Sequence, residues 1–352
     1  MGICKTGTPM KRLVALLVIT FFLMVPGSGL IICAHMTLRP MFSTLEDVTL
    51  RDDAFHGHGK RPYAEWWYFD AMFDNGYSMT LGVKVFNILG RGGVNTRLDI
   101  YQQGSLILES EKTSSMKEFY ASIEIPLVAV EGEELIHGSY DPVSGHFAYN
   151  VSYEASQGAL SLHFIGCTQG WKRQQKAGDW WVVMLPRATV TGTITIDGTT
   201  MNVTGTGYHD HTWDVRPRIA LNYGWFWGTF ESANYSVTWA MTYPTRLSRH
   251  PMMVVSEKNG GYLDIPPETI WFSAKQPRLD HLRLIPMYLN TETMTEKVFL
   301  TVNMHVISVD HARLLGAIQY WRYHVKCTGS IMMHGHMETV EGVFIAEYLR
   351  FR

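Results

Sequence analysis

The chain has 352 residues, 46% of them hydrophobic and 18% charged, with a formal net charge of −2. That balance supports a large buried core and excludes a disordered chain. Basic residues form nothing longer than short pairs, which excludes the electrostatic footprint of a nucleic-acid binder.

Lys11-Arg12 precedes Leu13–Val25, an unbroken apolar run, and Pro26, Gly27 and Gly29 follow it. This is the pattern of a signal peptide cut near Gly29. Continued through Pro26, the stretch Leu13–Ala34 is long enough to span a bilayer. Residues 1–35 therefore read as a signal peptide or membrane anchor, and the body as exported, membrane-anchored or extracytoplasmic. Cys167 and Cys327 are the cysteines of the body, and the sequence leaves open a disulfide or two buried thiols.

Beyond about residue 60 the chain reads as β structure. Tyr77–Phe86, Gly145–Tyr153, Ala159–Phe164, Ala188–Ile196 and Val298–Ile307 are rich in β-branched and aromatic residues. Asp74-Asn75-Gly76, Asp141-Pro142, Asp197-Gly198 and Asn259-Gly260-Gly261 punctuate them as turns. The pattern predicts one helix, over His311–Tyr320. Many short strands without alternating helices predict an all-β barrel or sandwich.

Residues 67–80, WYFDAMFDNGYSMT, match residues 225–238, WFWGTFESANYSVT, without gaps. Each reads as an aromatic strand, a polar turn and a second strand. Their separation is about one domain. Two similar β domains follow, at about 50–186 and 187–352, divided near Pro186 after the polar stretch Gln169–Gly178.

The segment Gly207–Asp214, GYHDHTWD, packs two histidines, two carboxylates and two aromatics into eight residues. On a strand, His209, His211 and Trp213 share one face, and Tyr208, Asp210 and Thr212 the other. Gly205 and Gly207 mark a bulge or a close backbone approach, either of which shifts that alternation. Three readings fit. The first is a buried polar network joining two domains, with Asp210 orienting a histidine. The second is metal ligation by His209 and His211, a pattern repeated in His56-Gly57-His58 and His334-Gly335-His336. In the third, a buried acid faces an aromatic pocket, protonated by burial and able to pass its proton to an alkene, while an indole stabilises the cation. Glu65-Trp66-Trp67-Tyr68 and Asn222–Trp227 are the aromatic clusters that meet this motif if the repeats pack together.

EWWYFDA at Glu65–Ala71, with GYHDHTWD about 140 residues on, resembles the carotenoid 1,2-hydratase family. These proteins are also called hydroxyneurosporene synthases or AttH-like lipocalins, and their pattern is EWWY followed by G-Y-x-D-H-x-W-G. The resemblance covers roughly residues 50–350. It implies two lipocalin-like, calycin-type antiparallel β-barrels packed together. For the hydratases it implies acid-catalysed addition of water to an isoprenoid double bond, with no cofactor. His211 and Trp213 match the functional His and Trp of the motif, and Asp210 matches the motif Asp as proton donor or orienter. Asp214 departs from the pattern, which has Gly there. The family's Tyr-x-Asp is missing from Tyr235–Met241, where Trp239 and Tyr243 are the nearest polar aromatics.

The expected catalytic residues are Asp210, His211, Trp213 and His209. The expected substrate-binding residues are Glu65, Trp66, Trp67, Tyr68, Tyr208, Trp225, Trp227, Trp239 and Tyr243, with no metal ligand assigned. The expected partner is a hydrophobic small molecule, an isoprenoid or lipid, and the N-terminal segment adds a membrane. The function so read is hydration or cyclisation of an isoprenoid. The alternatives are a non-catalytic lipid binder and a metal-dependent enzyme.

Overall fold

Runs of β-branched and aromatic residues closed by Gly, Asp and Asn turns fold as antiparallel hairpins, because the turn residues take the positive φ that right-twisted strands require. At one such turn Asp197 and Gly198 have φ of 48° and 77°. The computed structural model describes residues 44–57, 62–88, 91–175, 178–258, 260–314 and 318–351. The strands form a thirteen-stranded and a nine-stranded sheet. No described helix is long and apolar enough to cross a membrane. The expected N-terminal signal or anchor lies outside the described residues.

The first sheet begins at Tyr63–Phe73, and this strand pairs with both Tyr77–Ile88 and the sheet's last strand, Thr199–Val215. The second sheet repeats the plan. Gly224–Glu231 pairs with both Tyr235–Tyr243 and the last strand, His336–Arg350. The two halves of the sequence repeat are thus the opening hairpins of the two sheets. In the first sheet the edge strand Ser105–Ser115 meets the turn at Glu131 and the strand His146–Ala155 through side chains. The Glu131 carboxylate accepts from Ser114 Oγ at 2.6 Å and from Lys112, and Ser110 Oγ lies 3.0 Å from the Tyr153 hydroxyl. This sheet is a nearly closed barrel, and the second curls around its own core. Trp67, Phe69, Leu98 and Phe164 fill the first, and Phe230, Trp239, Trp321 and Tyr323 the second. Full burial of each such side chain contributes on the order of 2 kcal/mol.

Three expectations are corrected. A division at 187 falls inside Trp180–Ile196, which pairs with Thr199–Val215 on one side and Gly158–Gly166 on the other. The chain crosses to the second sheet only after Val215, through the 3-10 turn Pro217–Leu221. The described residues of His311–Tyr320 are strand and not helix, with His311 opposite Trp321 and Ala312 opposite Tyr320. Cross-strand packing and burial outweigh the helical propensity of its Ala, Leu and Arg. The slip expected at Gly205 and Gly207 is absent toward Tyr63–Phe73, where they stay in register with Phe73 and Ala71, but toward Trp180–Ile196 the register shifts between Leu185 and Ala188, opposite His209 and Gly207. The glycines answer to close approach: a Cβ on Gly207 would sit 2.6 Å from Phe164 and 2.7 Å from the Asp70 carbonyl oxygen. On the Tyr63–Phe73 side the irregularity lies further on, between Thr212 and Val215, where Asp214 has φ of 57°. Cys167 and Cys327 are both free thiols, Cys327 within the core of the second sheet and Cys167 half-buried.

Candidate active site

The strand alternation sorts the motif into two sites. His209 and His211 point into the first barrel and are fully buried there. Their strand partners are Phe69 and Trp67. The rings stack on them, His209 on Phe69 at 3.7 Å and His211 on Trp67 at 4.5 Å.

Carboxylates meet both imidazoles from elsewhere in the chain. A 3-10 turn at Leu50–Asp53 is held by Asp52, whose Oδ2 accepts the Thr49 backbone N–H at 2.8 Å and the Thr49 hydroxyl at 2.9 Å. The turn is anchored again where the Trp67 indole N–H donates to the Asp53 carbonyl at 3.0 Å. This drives the Asp53 side chain inward. Asp53 Oδ2 lies 2.9 Å from His209 Nε2, and Asp53 Oδ1 lies 3.2 Å from His211 Nδ1. Glu65 Oε1 bonds His211 Nε2 at 2.9 Å and accepts the His56 backbone N–H at 2.9 Å. His209 Nδ1 reaches the Tyr68 carbonyl at 2.9 Å. Asp53, Glu65, His209 and His211 are all fully buried.

Burial opposes charge on His211, but hydrogen bonds to Asp53 and Glu65, with the charges of both, outweigh it and raise the imidazole to about 9. Burial likewise opposes charge on Asp53. His209 and His211 together still hold its carboxyl well below the usual carboxylate range. The result is a buried imidazolium clamped between two carboxylates. The nearest half-buried rings are His56, whose centroid is 5.8 Å from that of His211, and Trp213, on which His56 stacks at 4.0 Å. Trp180 continues the stack at 5.3 Å from Trp213.

Asp210 faces the other way, and this corrects its expected role as orienter of a histidine. Its Oδ2 accepts the Trp181 indole N–H and the Tyr208 hydroxyl, each at 2.8 Å. Burial pushes it up to about 6, against those two hydrogen bonds. Tyr208 and Tyr68 both pack on Trp227, at 5.1 and 5.5 Å, so this face joins the two sheets. Trp66 is half-buried on the same face of its strand as Tyr68. The join continues at Arg322, which donates to Asp99 at 2.6 Å, Tyr101 at 3.0 Å and Tyr320 at 2.6 Å.

Of the expected site residues, Glu65, Trp67, His209, His211 and Trp213 come together in the first barrel. Tyr68, Tyr208, Asp210 and Trp227 meet at the junction. Trp225 packs on Phe351 at 5.4 Å. Trp239 and Tyr243 belong to the core of the second sheet, away from the histidines. The sequence reading missed Asp53, which takes the orienting role given to Asp210. Its one signal is Thr49-x-x-Asp52, the pattern of a helical turn just upstream of EWWY. Among the described residues, no group of three or more His, Cys, Asp and Glu is placed to hold a metal ion. His334-Gly335-His336 is a hairpin turn, with His334 and Gly335 at φ of 52° and 78°. His58 lies outside the described residues.

No family model matches the chain. The quinolone epoxide rearrangement protein asqO of Emericella nidulans is 24% identical over 225 residues, 56% of this chain and 60% of that protein. The matched part thus spans about three-fifths of this relative's length. Among solved structures, AttH from Nitrosomonas europaea superposes with a TM-score of 0.65 at 13% identity, covering 86% of this chain and 96% of that one. Kievitone hydratase from Nectria haematococca superposes with a TM-score of 0.56 at 12% identity, covering 84% and 93%. With its two opening aromatic hairpins and its paired all-β sheets, the chain has the lipocalin-type fold of the AttH-like proteins.

Proposed function

We propose that the protein is a hydratase- or rearrangement-type enzyme acting on a hydrophobic small molecule, of which an isoprenoid is the leading class. The observation that carries this reading is the buried His211, whose Nε2 is bonded to Glu65 at 2.9 Å, whose Nδ1 lies 3.2 Å from Asp53, and whose ring stacks on the Trp67 indole. A proton shared between His211 Nε2 and Glu65 Oε1 passes to a substrate double bond. The carbon cation that forms is stabilised by the neighbouring Trp67 indole. Water adds to it and returns one proton to the same couple, so an alkene and water give an alcohol and the acid is restored. An internal nucleophile in place of water gives rearrangement or cyclisation. The names of asqO and kievitone hydratase support this class of chemistry and fix no substrate. The same proposal places the body outside the cytoplasm or at a membrane, on the strength of Leu13–Val25.

A panel of acyclic isoprenoids and other lipophilic alkenes, incubated in 18O-water, tests the reading. The expected product is an alcohol carrying one 18O. His211→Gln and Glu65→Gln are each expected to lower turnover by roughly a hundredfold or more, with substrate still bound. Undiminished turnover in either variant rules out the couple as the acid. One observation favours a second reading, that of a ligand carrier without turnover. A cavity of about 330 Å³ opens at the barrel end remote from the histidines, lined by Lys112, Glu131, Tyr153 and Thr195. Stoichiometric ligand binding that is unaffected by His211→Gln and lost in Tyr153→Trp supports the carrier.

A further inference from the structure

One end of the second sheet gathers exposed leucines and arginines. Gly224 pairs with Tyr243 and Arg350, Arg350 with Gln319, and Thr242 with His250, so the connections at 216–223 and 244–249 and the strand ends at Leu314 and Ile318 lie at the same end. The hairpin tip at 280–283 joins them. The Trp321 indole donates to Asp280 Oδ2 at 2.7 Å, and His281 stacks on His311 at 3.7 Å. Four leucines project there: Leu247 is 94% exposed, Leu282 88%, Leu279 66% and Leu284 62%. Around them Arg216, Arg246, Arg249, Arg278, Arg283 and Arg313 are exposed. Among the described residues of these connections the one carboxylate is Asp280, already bonded to Trp321. The opposite end of the same sheet carries Glu292, Glu296, Glu338 and Glu341. In a chain of net charge −2, six exposed arginines are thus gathered at one pole.

We propose that this pole is a docking surface for an anionic lipid bilayer. Leu279 and Leu284 face each other across one hairpin with Leu282 at its tip, and Leu247 stands on another connection, so the leucines project from two places at this end. They fit insertion at both places into an acyl–headgroup boundary. The arginines stay charged at every physiological pH and match phosphate geometry. Near an anionic surface each basic residue adds to binding, and salt screens the sum. The pole also adjoins the histidine barrel in sequence, since Trp213 leads through Arg216 into these connections. A bilayer docked there would present lipophilic molecules beside that barrel, although the docking surface stands whether or not the chemistry proposed above is right.

Hydrogen–deuterium exchange on the full chain with vesicles tests it, because the readout is local and separates these connections from any effect of the N-terminal segment. Phosphatidylglycerol vesicles are expected to slow exchange at 244–250 and 278–284, while phosphatidylcholine vesicles or half-molar salt leave it fast. Leu247→Glu with Leu282→Glu abolishes the protection, and Arg246→Gln with Arg283→Gln weakens vesicle binding through this end roughly thirtyfold. Met294→Glu with Met337→Glu, at the acidic pole, leaves it unchanged. Equal protection on both lipids, or none on either, overturns the proposal. Protection that appears without lipid and grows with protein concentration overturns it in favour of a second copy of the chain.

Discussion

The strand Thr199–Val215 separates two buried polar sites by the thickness of one β-sheet. On its inner face His209 and His211 meet Asp53 and Glu65, and burial is overcome by paired charge. On its outer face Asp210 meets an indole and a phenol. There burial prevails and the carboxyl rises to about 6. Burial acts on both sites alike, so the difference lies in whether an opposite charge is within bonding distance. A buried acid with a cationic partner is held ionised, and one with only neutral donors is driven toward its protonated form.

The largest expected effect breaks the inner site. Asp53→Ala leaves His209 and His211 buried without their shared carboxylate, and urea unfolding should register a loss of about 3–5 kcal/mol. Asp210→Asn keeps an acceptor for Trp181 and Tyr208, so its cost should be about 1 kcal/mol. Equal losses would erase the distinction between the two faces.

The pH dependence of stability sharpens the same comparison. His211 titrates near 9 when folded and at 6.5 in the unfolded reference. Its pairing therefore stabilises the fold fully below that reference and is lost as pH rises toward 9. Asp53, held low, contributes above the ordinary carboxylate pKa of 3.8, and its contribution disappears as pH falls. Asp210 has the reverse sign, because ionising it is harder in the folded chain. Stability should decline as pH rises from 3.8 to about 6. Urea midpoints across pH are expected to show the alkaline decline removed by His211→Gln and the mildly acidic decline removed by Asp210→Asn.

Two backbone positions complete the series. Gly207→Ala pushes a Cβ against Phe164 and the Asp70 carbonyl, on the strand that carries both sites, and should cost about 1–3 kcal/mol in thermal unfolding. Asp214→Gly should fall between no change and about 1 kcal/mol of stabilisation, because the left-handed φ of 57° is strained for a residue with a Cβ.

The sequence by itself determined what local chemistry dictates. Turn residues at Asp197-Gly198 and Asp74-Asn75-Gly76 set the hairpins, and the duplicated aromatic pattern marked the opening of each sheet. The period of two placed His209 and His211 apart from Tyr208 and Asp210, since alternation is a property of the strand alone. Tertiary structure decided what stands opposite each face. Nothing local to Asp53 announces that it will lie 2.9 Å from a histidine more than 150 residues away. Asp210 is next to His211 in the chain and on the opposite side of the sheet, so sequence proximity misassigned the pair. The division between sheets was also hidden. It depends on Thr199–Val215 returning to Tyr63–Phe73, a pairing whose long loop closure only the assembled barrel can offset.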